Sequence, residues 1–134
     1  MKVSTLAATS LISIVDDDLS VREATTSLLE ANGYVTAAFG SAEEFLRSER
    51  LKDTCCLVTD LCMPGVNGVD LQRRLSSAGH SIPTIVITAH SDGHMHAAAL
   101  RCGALALLLK PVSEQQLISC LEGALQAGRS GAAQ

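Results

Sequence analysis

A single α/β domain, its parallel sheet covered by helices on both faces, is the fold this sequence predicts. Three observations carry it. Five short apolar runs alternate with five stretches of helical spacing, and parallel strands need helical crossovers between them. Helix-starting and helix-stopping residues punctuate the alternation. The polar residues that end the apolar runs, Asp16, Asp17, Asp60, Thr88 and Lys110, fall at strand C-termini, the edge where open α/β sheets hold ligands. At 134 residues the chain has room for one domain, with a core that needs neither disulfides nor metals as staples.

The first apolar run, Leu11 to Val15, ends in Asp16, Asp17 and Asp18 and reads as a central strand delivering acids at its C-terminal end. From Ser20, the residues Val21, Ala24, Thr25, Leu28 and Leu29 have helical spacing, with Ser20 and Glu23 as a capping box and Asn32-Gly33 as the stop. Tyr34 to Phe39 is the second strand. Ser41 with Glu44 caps a second helix that turns Ala42, Phe45 and Leu46 inward. Cys55 to Thr59 runs straight into Asp60 as the third strand, and Met63-Pro64-Gly65 makes the turn after it. Val69, Leu71 and Leu75 mark a third helix that stops near Gly79. Pro83 opens a fourth strand, Thr84 to Thr88, followed by the polar turn His90 to Gly93. The fourth helix runs to Cys102, with Gly103 as its stop. Ala104 to Leu109 is the fifth strand, ending at Lys110-Pro111, and Ser113 with Gln116 caps a last helix bearing Leu117, Ile118, Leu121, Ala124 and Leu125. The domain is assigned to residues 11–126, with a tail at 1–10 and a disordered tail at 127–134.

Composition excludes several classes. A formal charge of -4 with 18% charged residues and no Lys/Arg cluster gives nothing to track a phosphate backbone, so this chain alone should not bind nucleic acid. Five cysteines, an odd count without a CxxC pair, read as reduced thiols in a cytoplasmic protein. The start resembles a signal peptide only superficially, because Ser and Thr interrupt it and three aspartates follow. Arg101 breaks the longest membrane candidate, Ala97 to Leu109. There is no repeat, linker or low-complexity segment.

With the strand ends converging on one edge, Asp16, Asp17 and Asp60 come together. At about 4 Å and an effective dielectric near 20, each like-charged pair costs roughly 4 kcal/mol, so the three acids need a cation. Mg²⁺ suits a site of few protein oxygens, and Lys110 is a second counter-charge. Thus screened, the Asp60 carboxylate is a nucleophile toward phosphorus that would form an acyl phosphate, with the Thr88 hydroxyl donating to a phosphoryl oxygen. Asp18 reads as a helix cap. His90, His94 and His96 read as solvated histidines, with His90 near the site mouth, and Cys62 as a packing residue with nothing basic beside it.

Together, IVDDD at Ile14 to Asp18, VTDLCMPGVNG at Val58 to Gly68, IVITAH at Ile85 to His90 and the Lys110-Pro111 pair resemble the receiver domain of two-component response regulators. VTDLCMPG and PTIVITAH look most like receivers of the nitrogen-fixation type. The resemblance implies a flavodoxin-like fold with strand order 2-1-3-4-5 and five helices. It implies Asp60 as phosphoacceptor, charged by a sensor histidine kinase. Asp16 and Asp17, with Asp60 and the Cys62 backbone carbonyl, would hold Mg²⁺. Thr88 would be the switch hydroxyl and Lys110 the phosphate-binding lysine. Such receivers often precede a helix-turn-helix output domain, which is expected to lie outside this chain, and they rearrange the face of the fourth helix, fifth strand and fifth helix. Two positions depart from the pattern. Leu107 stands where the family carries its switch aromatic, and Leu109 where a polar residue is common. An apolar edge strand invites association, so this face is expected to form a homodimer. Two rival expectations are a degenerate receiver serving as an unphosphorylated scaffold and a Mg²⁺-dependent phosphohydrolase of the haloacid dehalogenase type. The latter wants a second Asp where this chain has Cys62.

Overall fold

The computed structural model describes residues 10–89 and 92–132, the last six of these in backbone only. Its elements are β1 (Leu11–Val15), α1 (Leu19–Ala31), β2 (Val35–Phe39), α2 (Ala42–Leu46), a 3₁₀ turn (Glu49–Asp53), β3 (Thr54–Asp60), α3 (Gly68–Ser77), β4 (Thr84–Thr88), α4 (Gly93–Arg101), β5 (Ala106–Leu109) and α5 (Glu114–Ala132). The strands form one sheet in the order β2-β1-β3-β4-β5, every neighbouring pair parallel. This is the flavodoxin-like order expected from the sequence. Among the described residues no helix is long and apolar enough to cross a membrane.

Strand periodicity sends alternate residues to opposite faces, and each face recruits its own helices. Ile12, Ile14, Cys56, Val58, Ile85 and Ile87 pack under α1 and α5 with Leu29, Leu117 and Leu121. On the other face Val15 and Leu57 meet Phe45 of α2 and Leu71 and Leu75 of α3, and Val86 meets Val69 and Ala99. The central strands β1 and β4 are buried at all five positions, which leaves only their C-terminal ends open to chemistry. The register aligns those ends. Val15 lies opposite Thr59, Asp60 opposite Ile87 and Thr88 opposite Leu109.

Local signals held at most ends and failed at two. Ser41 Oγ accepts from Glu44 N at 3.1 Å, and the Glu44 carboxylate reaches back to Gly40 N at 3.0 Å. Ser113 Oγ likewise accepts from Gln116 N, and Gly79 and Gly103, at φ +84 and +102, follow the ends of α3 and α4. At the first helix the two cap candidates part: Asp18 caps it as expected, and the Ser20 capping box does not form. Asp18 Oδ1 accepts from Val21 N at 3.2 Å, and Ser20 already lies in the first turn. The second failure is the boundary at 127. The backbone of α5 continues to Ala132, because one glycine costs a helix only about 1 kcal/mol and does not by itself end it. Residues 1–9 of the expected N-terminal tail and residues 133–134 lie outside the described residues.

Candidate functional site

Four strand ends build the site. Asp16 and Asp17 follow β1, Asp60 ends β3, Thr88 ends β4 and Lys110 follows β5. The Lys110 backbone N donates to Thr88 O at 2.9 Å, which holds the lysine beside the acids, and a cis peptide bond joins it to Pro111. Its Nζ donates to Asp16 Oδ2 at 3.1 Å and to Asp60 Oδ2 at 3.3 Å. Asp16 and Asp60 are buried, at 5% and 8% exposure, whereas Asp17 is open to solvent. One carboxylate oxygen from each of the three acids lies within 4.8 Å of the others. Among the described residues this is the one grouping of three or more His, Cys, Asp or Glu side chains fit to hold a metal. Three hard oxygen donors around one space suit a hard divalent cation, and Lys110 alone leaves them undercompensated.

The electrostatics follow from that crowding. Burial pushes the Asp60 carboxyl above its usual range; Lys110 pulls it down and the charge of Asp16 pushes it up again, with burial the largest influence. Burial also acts to lower the pKa of Lys110, but the hydrogen bonds and charges of Asp16 and Asp60 outweigh it and raise the value. Asp60 Oδ1 accepts from Cys62 N at 3.4 Å.

The remaining expected residues are placed as follows. Thr88 is fully buried at the end of β4. Burial, then the charges of Asp60 and Asp92, raise the Cys62 pKa, so this thiol is not an activated one. Leu107 pairs with Val86 across β4 and β5 and packs with Leu61, Val69, Ala99 and Ala104. An aliphatic contact therefore fills the position of the family's aromatic. Leu109 is 55% exposed. His94 and His96 sit in the first turn of α4, which Asp92 caps through His94 N and Met95 N, and His90 lies outside the described residues.

Two residues near the acids carried no signal by themselves. Arg22 Nη1 donates to the Asp16 main-chain oxygen at 2.7 Å; an arginine one turn into a helix reads as a solvated charge. A Cβ on Gly68 would come within 2.7 Å of Asp60 O and 3.0 Å of Leu61 Cα. The second glycine of the Gly65–Gly68 segment therefore marks a close backbone approach, a meaning that only the fold reveals.

Sheet order, helical layers and an acid-lined C-terminal pole define a doubly wound, flavodoxin-like domain with a charged site at its strand ends. Residues 12–122 match the family model of the response regulator receiver domain, and the chain belongs to that family. It is 38% identical over 120 residues to nodulation protein W of Bradyrhizobium diazoefficiens, covering 90% of this chain and 53% of that protein. It is also 38% identical over 117 residues to response regulator protein TodT of Pseudomonas putida, covering 87% and 52%. The chain thus spans about half the length of the curated relatives it matches. The crystal structure of FixJ-N superposes with a TM-score of 0.80 at 37% identity, covering 87% of this chain and 94% of that one. The response regulator StyR superposes at 0.85 and 38% identity, covering 94% and 64%.

Proposed function

We propose that Asp60 accepts a phosphoryl group from the phosphohistidine of a sensor histidine kinase in a Mg²⁺-dependent reaction, and that the resulting acyl phosphate switches a partner-binding face. One observation carries the reading: a buried strand-end carboxylate held 3.3 Å from Lys110 and within 4.8 Å of two further acids. A carboxylate oxygen of Asp60 attacks phosphorus, the P–N bond breaks, and the imidazole of the donor leaves with the electron pair. Lys110 meets the charge gathering on the phosphoryl oxygens, and the Thr88 hydroxyl donates to one of them. Mg²⁺ held by Asp16, Asp17, Asp60 and the Cys62 carbonyl would supply further neutralisation of the phosphoryl oxygens. The domain is a switch that catalyses its own phosphorylation and dephosphorylation in the cytoplasm, rather than an enzyme turning over a substrate. Nothing at the half-buried Cys62 supplies the second aspartate of a phosphohydrolase.

Output is expected through α4, β5 and α5. Leu107, where the family's aromatic would stand, packs on that face against Val86 and Ala99. Leu100, Leu105 and Leu109 are each more than half exposed, at 52%, 53% and 55%, on α4, just before β5 and on the β5 edge. Scattered apolar side chains are ordinary, but three on α4 and along the β5 side of the sheet favour association of two copies. Light scattering should show a dimer that L105E/L109E splits; a wild-type monomer at high concentration, with and without beryllium trifluoride, overturns it. Any DNA contact would fall to a helix-turn-helix output segment beyond this chain, in keeping with a relative of which the match covers 56%.

The test of the function is intact mass after incubation with acetyl phosphate. Wild type should gain one phosphate only when Mg²⁺ is present, and Asp60→Asn none. A wild type that gains no phosphate from acetyl phosphate or from a donor kinase contradicts the reading and leaves the unphosphorylated scaffold.

A further inference from the structure

We infer that Arg22 is the positioning residue for Asp17. It fixes the peptide between Asp16 and Asp17 so that the Asp17 carboxylate faces the cation position, an inference that rests on reading the three acids as the Mg²⁺ site.

The geometry begins with the four polar groups of Asp16, each of which has a partner. Its N donates to Phe39 O at 3.1 Å. Its Oδ1 accepts from Asp18 N at 2.9 Å and its Oδ2 from Lys110 Nζ at 3.1 Å. Its main-chain oxygen accepts from Arg22 Nη1 at 2.7 Å, a short, charge-assisted bond. That oxygen belongs to the peptide unit joining Asp16 to Asp17. Peptide planarity makes its direction a control on where the Cα–Cβ bond of Asp17 points.

Asp17 needs such a control. It is exposed, and among the described residues its carboxylate has neither a hydrogen bond nor an ion pair. Its direction is therefore set by the backbone on either side. On the far side, Asp18 is fixed by its N–H on Asp16 Oδ1 and by its own cap on Val21 N. On the near side Arg22 performs the task.

Arg22 is built for this contact and for no other that the described residues show. Among the described residues it has no carboxylate within 4.0 Å. Its main chain is anchored at both ends, N to Asp18 O at 2.9 Å and O from Thr26 Oγ1 at 2.8 Å. The guanidinium lies against Gly40, where a Cβ would come within 3.3 Å of Nη1 and 3.8 Å of Cζ. The nearest acid there, Glu44, already accepts from Gly40 N. The arginine thus spans from α1 to the ends of β1 and β2 in one conformation.

Charge and position predict opposite signs, which makes the inference sharp. As a mere positive charge near the acids, Arg22 would repel a divalent cation, and its removal would tighten binding. As a clamp on the 16–17 peptide, its removal weakens binding, by about 10-fold on the scale of other residues that orient metal ligands. The experiment is calorimetric titration of the full chain with MgCl₂ for wild type, Arg22→Met and Arg22→Lys, beside unfolding curves in EDTA. Arg22→Met should stay folded and bind Mg²⁺ about 10-fold more weakly, with Arg22→Lys between it and wild type. In acetyl phosphate reactions the Mg²⁺ concentration for half-maximal rate should rise by more than the saturated rate falls. Arg22→Met binding as tightly as wild type, or more tightly, overturns the inference while the functional reading stands. Wild type that takes up no Mg²⁺ overturns both. Should Arg22→Met fail to fold, Arg22→Lys carries the test, with weaker binding in support and wild-type binding against.

Discussion

Burial and charge pull Asp60 in opposite directions, and burial prevails. A carboxyl with a raised folded-state pKa binds its proton more tightly in the folded chain than in the unfolded one. The stability it contributes is present in full below its usual 3.8 and is lost as pH rises through the folded value. Lys110, raised from its usual 10.5, contributes stability that is present at neutral pH and lost only as pH rises through its own folded value. At neutral pH the site therefore strains the fold at Asp60 and is held at Lys110. With divalent ions chelated, Asp60→Asn should melt above wild type at pH 7 and lack the decline from acid to neutral pH. Each kcal/mol so released raises Tm by roughly 4 °C in a chain of this size. An Asp60→Asn protein melting at or below wild type at pH 7 would show that the Lys110 pair outweighs burial.

The connection from β3 to α3 converts the position of Asp60 into a rigid one. Asn67 caps α3 by accepting from Asp70 N at 2.9 Å, and Gly68 N donates to Leu61 O at 2.8 Å. A side chain at position 68 would press on Asp60 O and Leu61 Cα, which are main-chain atoms and cannot turn aside. Gly68→Ala should cost about 1–3 kcal/mol, as overpacking does, and slow phosphorylation by displacing Asp60. Urea unfolding checks this, and a change under about 0.5 kcal/mol, the range of ordinary surface substitutions, would contradict it. At this scale sequence signals read well when a side chain answers its neighbours, as Ser41 and Ser113 do at their helices. They misled when two candidates competed. Ser20 with Glu23 matched the capping pattern, yet Asp18 stands two residues nearer the strand end, where the chain must first leave the extended conformation, and takes the cap. The boundary set at 127 is passed as well, and the backbone of α5 runs on to Ala132, because weak helix formers inside a long helix are outvoted by their neighbours.

The molecule as a whole was legible because a parallel sheet collects at one pole whatever ends its strands. Asp16, Asp60, Thr88 and Lys110 are scattered over 95 positions of sequence, yet each follows or closes an apolar run, and parallel pairing in register brings the ends together. Arg22 and Gly68 were illegible for the same physical reason as each other. Both act on main-chain atoms, the Asp16 and Asp60 carbonyls, and sequence patterns of side chains do not show where a carbonyl points. On the proposed function, this pole places a phosphoryl group on Asp60. The most direct test is borohydride reduction of the chain after acetyl phosphate and Mg²⁺, followed by peptide mass mapping, since reduction turns an aspartyl phosphate into homoserine. Homoserine at position 60, and none without Mg²⁺, is the predicted result; homoserine at another aspartate, or at none, would contradict it.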